Sequence, residues 1–369
     1  MARLWAMSRP VRRVPLGERP EWSDVVPEPA FDGEAGSPVP VATSAEFRET
    51  MGYFRAVVRR GEVSERALGL TAEVVGGNPA SYTAWAWRLK CLDALGTEDW
   101  AGELAWVAGW VARHTKNYQV WQHRRAVAER AFGAPGSAEL AAREGAFCAG
   151  FLEEDAKNYH AWAHRQWCLA HDPEFEEALL ARDPFNNSAW NHRHFVIRRG
   201  LDSGGGGFSG EGVLVREMDF VRAALLASDR AVAGMSKGAS EGGEGAPVSN
   251  DAAWEYARGA HLQAGARFSG SVPLVALVVE RCFSEGSPRW VDVAWGDLNG
   301  LGILLDMLEE DPSGAFLASS RGGEVPSSLS AVALCQALMD RDRVRAGYWA
   351  LRRAQLLPDP SHAAGRGQD

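Results

Sequence analysis

The chain has 369 residues, 46 % of them hydrophobic, and a formal net charge of −9. Length and composition suit a soluble globular protein with a large core. No apolar run approaches the roughly 20 residues of a membrane span, and the acidic balance argues against a dedicated nucleic-acid binder while leaving room for a local basic pocket.

The first segment, MARLWAMSRPVRRVP, is basic and free of acidic residues. It lacks the apolar stretch of a secretory signal. Residues 1–20 are expected to be a disordered basic tail, with an organelle leader and a misplaced start codon as the other readings. Cys91, Cys148, Cys168, Cys282 and Cys335 are odd in number and form no C-x-x-C pair. They read as reduced, buried thiols rather than a zinc knuckle or a disulfide framework.

From Ser81 onward a pattern repeats. SYTAWAWRLK (from Ser81), NYQVWQHRRA (Asn117), NYHAWAHRQW (Asn158), NNSAWNHRHF (Asn186) and NDAAWEYARG (Asn250) each carry Asn or Ser four residues before a Trp. Arg88, Arg124, Arg165 and Arg193 follow three residues after it. The Trp residues are 36, 41, 28 and 64 apart, where helical-pair repeats recur at about 34–47 residues. Asn and Ser are favoured N-caps, so each motif predicts a helix start with Trp in its first turn and Arg on the same face. Second helices such as EDWAGELAWVAGWVARH and SAELAAREGAFCAGFLEED lie between, with apolar residues at three- and four-residue spacing. The fold class is therefore all-α: a right-handed superhelical solenoid of helical hairpins, over residues 21–357. The motif tryptophans are expected to be core. Glycine-rich stretches at 203–212 and 236–249 read as flexible insertions, and 358–369 as a disordered tail.

If the motif helices share one direction, their N-termini line one edge, with a partial positive charge at each. Lys116 and Lys157 precede the second and third caps, and Tyr118, Gln119, Tyr159 and His160 follow them. Such groups over helix ends suit a diphosphate. Solvated lysines beside ordinary caps would give the same pattern. His123, His164 and His192 recur two residues after the Trp, one to a repeat, and read as interface fillers rather than metal ligands.

KNYQVWQHRR, DAKNYHAWAHRQW and NNSAWNHRHFVI closely resemble the repeats of the protein prenyltransferase α subunits. EWSDVVPEP, the EFRETMGYFRAVVRRGEVSERALGLTAEVV segment and AGYWALRRAQL resemble the family's flanking regions. The likeness runs from Glu21 to Gln355 and is weak between Ser203 and Val344. It implies the α subunit of farnesyltransferase or geranylgeranyltransferase type I, a cytoplasmic heterodimer. That enzyme moves an isoprenoid from its diphosphate to a cysteine in a C-terminal C-a-a-X motif. The resemblance implies that Lys116 is catalytic and that Lys116, Tyr118, Asn158, Tyr159 and His160 bind the diphosphate. Gln119 and Tyr82 would bind the peptide. Zn2+ would be held by the β subunit, with Mg2+ serving the farnesyl reaction and no metal ligands on this chain. The 28-residue third repeat departs from the family's spacing and predicts a short second helix in EFEEALLARD. Two alternatives remain: the Rab geranylgeranyltransferase α subunit, and a non-catalytic peptide-binding scaffold. A scaffold gives no reason for Lys116, Tyr159 and His160 to stand together.

Overall fold

A computed structural model describes residues 14–29, 43–135, 137–169, 173–200, 207–210, 212–236, 250–284, 287–288, 297–317 and 329–357. Among these, the regular structure is helical apart from a two-residue antiparallel pairing of Phe283–Ser284 with Ser287–Pro288. The helices are α1 (Ala45–Arg60), α2 (Glu65–Gly77), α3 (Tyr82–Ala94), α4 (Trp100–Arg113), α5 (Tyr118–Phe132), α6 (Ala138–Glu154) and α7 (Tyr159–Cys168). Then follow α8 (Pro173–Arg182), α9 (Asn187–Arg198), α10 (Val213–Ser236), α11 (Asp251–Ala264), α12 (Val272–Cys282), α13 (Leu298–Glu310), α14 (Ala331–Arg341) and α15 (Ala346–Leu356). They form two compact units, the first holding α1 to α5, α6 as far as Leu152, and α7.

Each of the five motifs starts a helix where its cap predicts. Ser81, Asn117, Asn158, Asn186 and Asn250 all accept a first-turn backbone N–H through the side chain. Trp85, Trp121, Trp162, Trp190 and Trp254 are between 0 % and 5 % exposed. Burial of an indole leaves its N–H in need of an acceptor. Trp85, Trp121 and Trp190 find one six residues back, on the carbonyls of Pro79, Thr115 and Pro184, at 2.8–2.9 Å. The motif therefore fixes its own helix and the turn ahead of it together. In the first unit the motif helices α3, α5 and α7 lie side by side, and α4 packs on α5. The short third repeat has its expected short second helix, with α8 ten residues long against fourteen for α4.

Between repeats runs a ladder of buried charge. Glu103 of α4 takes both Arg88 of α3 (2.7 and 2.5 Å) and His123 of α5 (2.7 Å). Glu144 of α6 takes Arg124 of α5 (2.8 and 2.8 Å) and His164 of α7 (2.7 Å) in the same way. In the second unit Glu217 of α10 takes Arg193 of α9, and Tyr256 of α11 replaces the histidine at 2.6 Å. The histidines are thus interface residues, each on its own carboxylate.

Burial pushes the His123 and His164 imidazoles below their ordinary value, against the pull of their glutamates. Burial alone would raise the Glu103 and Glu144 carboxyls, but hydrogen bonds from histidine and arginine hold both below the usual range. All four groups therefore bind protons more readily in the unfolded chain, so stability rises with pH. It is expected to be complete above about pH 6.5, to fall as the unfolded histidines charge, and to fall faster below about pH 4.5. Thermal melts between pH 7.5 and 4.5 check this. A flat profile, or one unaltered in slope by His164→Gln, would contradict it.

Two expectations about the chain's margins and insertions need adjusting. The packed region begins before Glu21: Leu16 is fully buried in a 3-10 turn, and Arg19 pairs with Glu73 at 2.7 Å. Of the first glycine-rich stretch, residues 207–209 form a 3-10 turn whose Phe208 is buried between His194 and Tyr256. A single aromatic anchors residues 207–209, which composition alone marks as flexible. Residues 203–206, 237–249 and 358–369 lie outside the described residues. The five cysteines are free and buried, as composition suggested.

Candidate functional site

The edge formed by the starts of α3, α5 and α7 gathers the residues singled out by sequence. Tyr82, Tyr118 and Tyr159, each the first residue of its helix, are strongly exposed for aromatic side chains. The rings of Tyr118 and Tyr159 are 6.4 Å apart. His160 fills the space behind them, edge-on to Tyr118 at 4.3 Å and to Tyr159 at 5.5 Å, and parallel to Trp121 at 6.5 Å. Lys116 is exposed one residue ahead of the α5 cap.

Two pockets flank Tyr118. One, of about 470 Å³, lies between α3 and α5 and includes Tyr82, Trp85, Leu89, Gln119 and Gln122 in its lining. The other, of about 150 Å³, lies between α5 and α7 and includes Tyr159, His160, Arg125 and Trp167. The two residues expected at a peptide site thus share the larger, mostly apolar pocket. Three expected at an anion, Tyr118, Tyr159 and His160, share the smaller one.

Two sequence expectations change here. The helix ends do not offer all their amides, because Asn117 already accepts from Gln119 and Val120, and Asn158 from His160 and Ala161. What remains for an anion is the helix dipole, at most the first amide of each helix, and the side chains. Asn158 itself is 2 % exposed, with its amide N–H donated to the Thr115 carbonyl at 3.4 Å, so it presents no side chain to the pocket.

His160 sits below its ordinary pKa because burial disfavours the imidazolium, while a hydrogen bond to the Lys116 backbone partly opposes this. A neutral imidazole has one N–H to give. With that N–H on the Lys116 carbonyl, the second ring nitrogen meets an anion as a donor only once protonated, a change that an adjacent negative charge favours.

Arg125 was not marked by the motif, since the equivalent position varies among the other repeats: Leu89, Gln166, His194 and Arg258. It lies over the Trp167 ring at 4.6 Å and adds a guanidinium to the smaller pocket. The spacing of Tyr118, Gln122 and Arg125 at four and three residues is the signal that places them on one stripe. Among the described residues no three His, Cys, Asp or Glu side chains converge as a metal site would need. No helix of the described residues is long and apolar enough to cross a membrane.

Comparison with known proteins agrees with the repeat geometry. The family "Protein prenyltransferase alpha subunit repeat" matches residues 100–131, 141–172 and 174–200, which correspond closely to α4–α5, α6–α7 and α8–α9. The Candida albicans protein geranylgeranyltransferase-I complexed with GGPP has a similar fold, with a TM-score of 0.68 at 20 % identity, over 91 % of this chain and 98 % of that one. The Mus musculus geranylgeranyl transferase type-2 subunit alpha is 31 % identical over 43 % of this chain and 23 % of its own length. The type-1 likeness runs much further: the Pisum sativum protein farnesyltransferase/geranylgeranyltransferase type-1 subunit alpha is 34 % identical over 93 % of this chain and 96 % of its own length. Motifs, fold and near end-to-end similarity together show that this chain belongs to the family of protein farnesyltransferase/geranylgeranyltransferase type-1 α subunits.

Proposed function

We propose that this chain pairs with a prenyltransferase β subunit and that its α3–α5–α7 edge forms part of the shared active site. The observation that carries the reading is the grouping of the expected residues into two adjoining pockets about Tyr118. The smaller pocket and Lys116 take the isoprenoid diphosphate, with Tyr118, Tyr159 and His160 as side-chain contacts. The larger, apolar pocket takes the C-terminal C-a-a-X peptide, with Gln119 meeting its carboxylate and Tyr82 its side chains. The enzyme acts in the cytoplasm.

Transfer forms a bond from the cysteine sulfur to the isoprenoid C1 and breaks the bond from C1 to the diphosphate oxygen. Zn2+ would supply an activated thiolate; no donor set among the described residues would hold it, and the family resemblance implies that the β subunit does. Mg2+ would accompany the diphosphate. This chain's part is to hold and neutralise the leaving group.

Coexpression with a β subunit tests the reading. A stable heterodimer is expected, burying more than about 2,000 Å² as obligate interfaces often do, and transferring the isoprenoid to a C-a-a-X peptide. A chain that stays alone, or a complex that fails to transfer either a farnesyl or a geranylgeranyl group, would refute it.

A further inference from the structure

The cap residues act on more than their own helices. Asn158 caps α7 through Oδ1 and donates Nδ2–H to the Thr115 carbonyl, in the turn ahead of α5. The same carbonyl accepts the Trp121 indole N–H at 2.8 Å. The arrangement recurs in the second unit. Asn250 donates to the Pro184 carbonyl at 2.7 Å, which also accepts Trp190, and Asn186 donates to the Ala156 carbonyl at 3.1 Å. A cap on one motif thereby ties down the turn that precedes the motif before it.

At α5 that turn carries Lys116. A carbonyl held from two sides fixes the peptide plane between Thr115 and Lys116, and with it the direction in which the lysine side chain leaves the chain. The His160 ring holds the Lys116 carbonyl, the next plane along. Asn158 is buried and engaged at both ends, so its route to the chemistry is through this turn.

We propose that Asn158 is a positioning residue for the Lys116 ammonium, set from the following repeat, and not a ligand of the diphosphate. This rests on the reading of Lys116 given above. Asn186 offers a matched comparison, because it makes the same tie to the turn carrying Lys157, a lysine with no assigned role.

The test uses the heterodimer, geranylgeranyl diphosphate and a C-a-a-X peptide, in single turnover. Asn158→Ser keeps a capping oxygen and loses the amide donor, and Asn186→Ser does the same one repeat on. Asn158→Ser is expected to slow transfer by about tenfold or more, in line with the sensitivity of positioned groups to small displacements. Asn186→Ser should leave the rate unchanged while lowering the melting temperature comparably. In a Lys116→Ala background, Asn158→Ser should cost nothing further. Asn158→Asp also keeps the cap and lacks the donor, and serves if the Ser variant does not assemble. A wild-type rate for both Asn158 variants, an equal rate loss in Asn186→Ser, or an undiminished loss in the Lys116→Ala background overturns the positioning role alone. If Lys116→Ala itself reacts normally, the reading of Lys116 falls and the role of Asn158 falls with it.

Discussion

Lys116→Ala in the heterodimer is expected to slow single-turnover transfer by about 10²-fold or more, the cost of removing one such electrostatic contact. Isoprenoid diphosphate affinity should change much less. As the carbon–oxygen bond breaks, negative charge grows on the leaving diphosphate, so an ammonium contact strengthens between ground and transition state. Contacts of that kind lower the barrier more than they tighten binding. Lys157→Ala is the comparison: Lys157 occupies the same place one repeat on, where it pairs with Asp183 at 3.7 Å. Tyr159→Phe and His160→Ala should each cost less than Lys116→Ala. Equal losses for the two lysines, or a wild-type rate for Lys116→Ala, would make Lys116 an ordinary surface charge.

Glu144→Ala is expected to destabilise the protein by about 3–5 kcal/mol, because it strands buried partners of a charge network. Glu144 is 1 % exposed and joins Arg124 of α5 to His164 of α7, so its loss leaves a guanidinium without its counter-charge inside the repeat interface. Glu139→Ala, on the same helix, removes an exposed carboxylate 3.9 Å from Arg143 and should cost about 1 kcal/mol at most. Urea unfolding of the complex separates the two. Similar midpoints for Glu144→Ala and Glu139→Ala would show that the buried ladder contributes little.

The parts of the fold that are local in sequence were legible in advance. A cap, a tryptophan four residues on and the helix between them lie within one turn, so Asn117 and Trp121 declare themselves. The carboxylates of the ladder do not. Glu103 and Glu144 each stand 20 residues before their histidine, on amphipathic helices, and α6 also carries the exposed Glu139, Glu153 and Glu154. Nothing adjacent distinguishes the buried carboxylate; only the constant offset does. At the site, the grouping of Tyr118, Tyr159 and His160 followed from aligned helix starts. The role of Asn158 did not, because a cap shows in sequence only the oxygen it turns toward its own helix. Its amide hydrogen goes to Thr115, 43 positions away.

The ladder also sets where this chain tolerates being divided. Glu103, Glu144 and Glu217 are each shared by the motif helix before and the one after, so within each unit neighbouring hairpins are coupled as in a one-dimensional nearest-neighbour chain. A fragment ending after α6 keeps Arg124 with Glu144 and loses, of this ladder's groups, only the His164 imidazole. A fragment ending after α5 keeps Arg124 and loses its counter-charge. The chemically sound breakpoints therefore follow the second helices, and the natural module runs from a tryptophan helix to the carboxylate helix behind it, one helix out of phase with the matched family repeat.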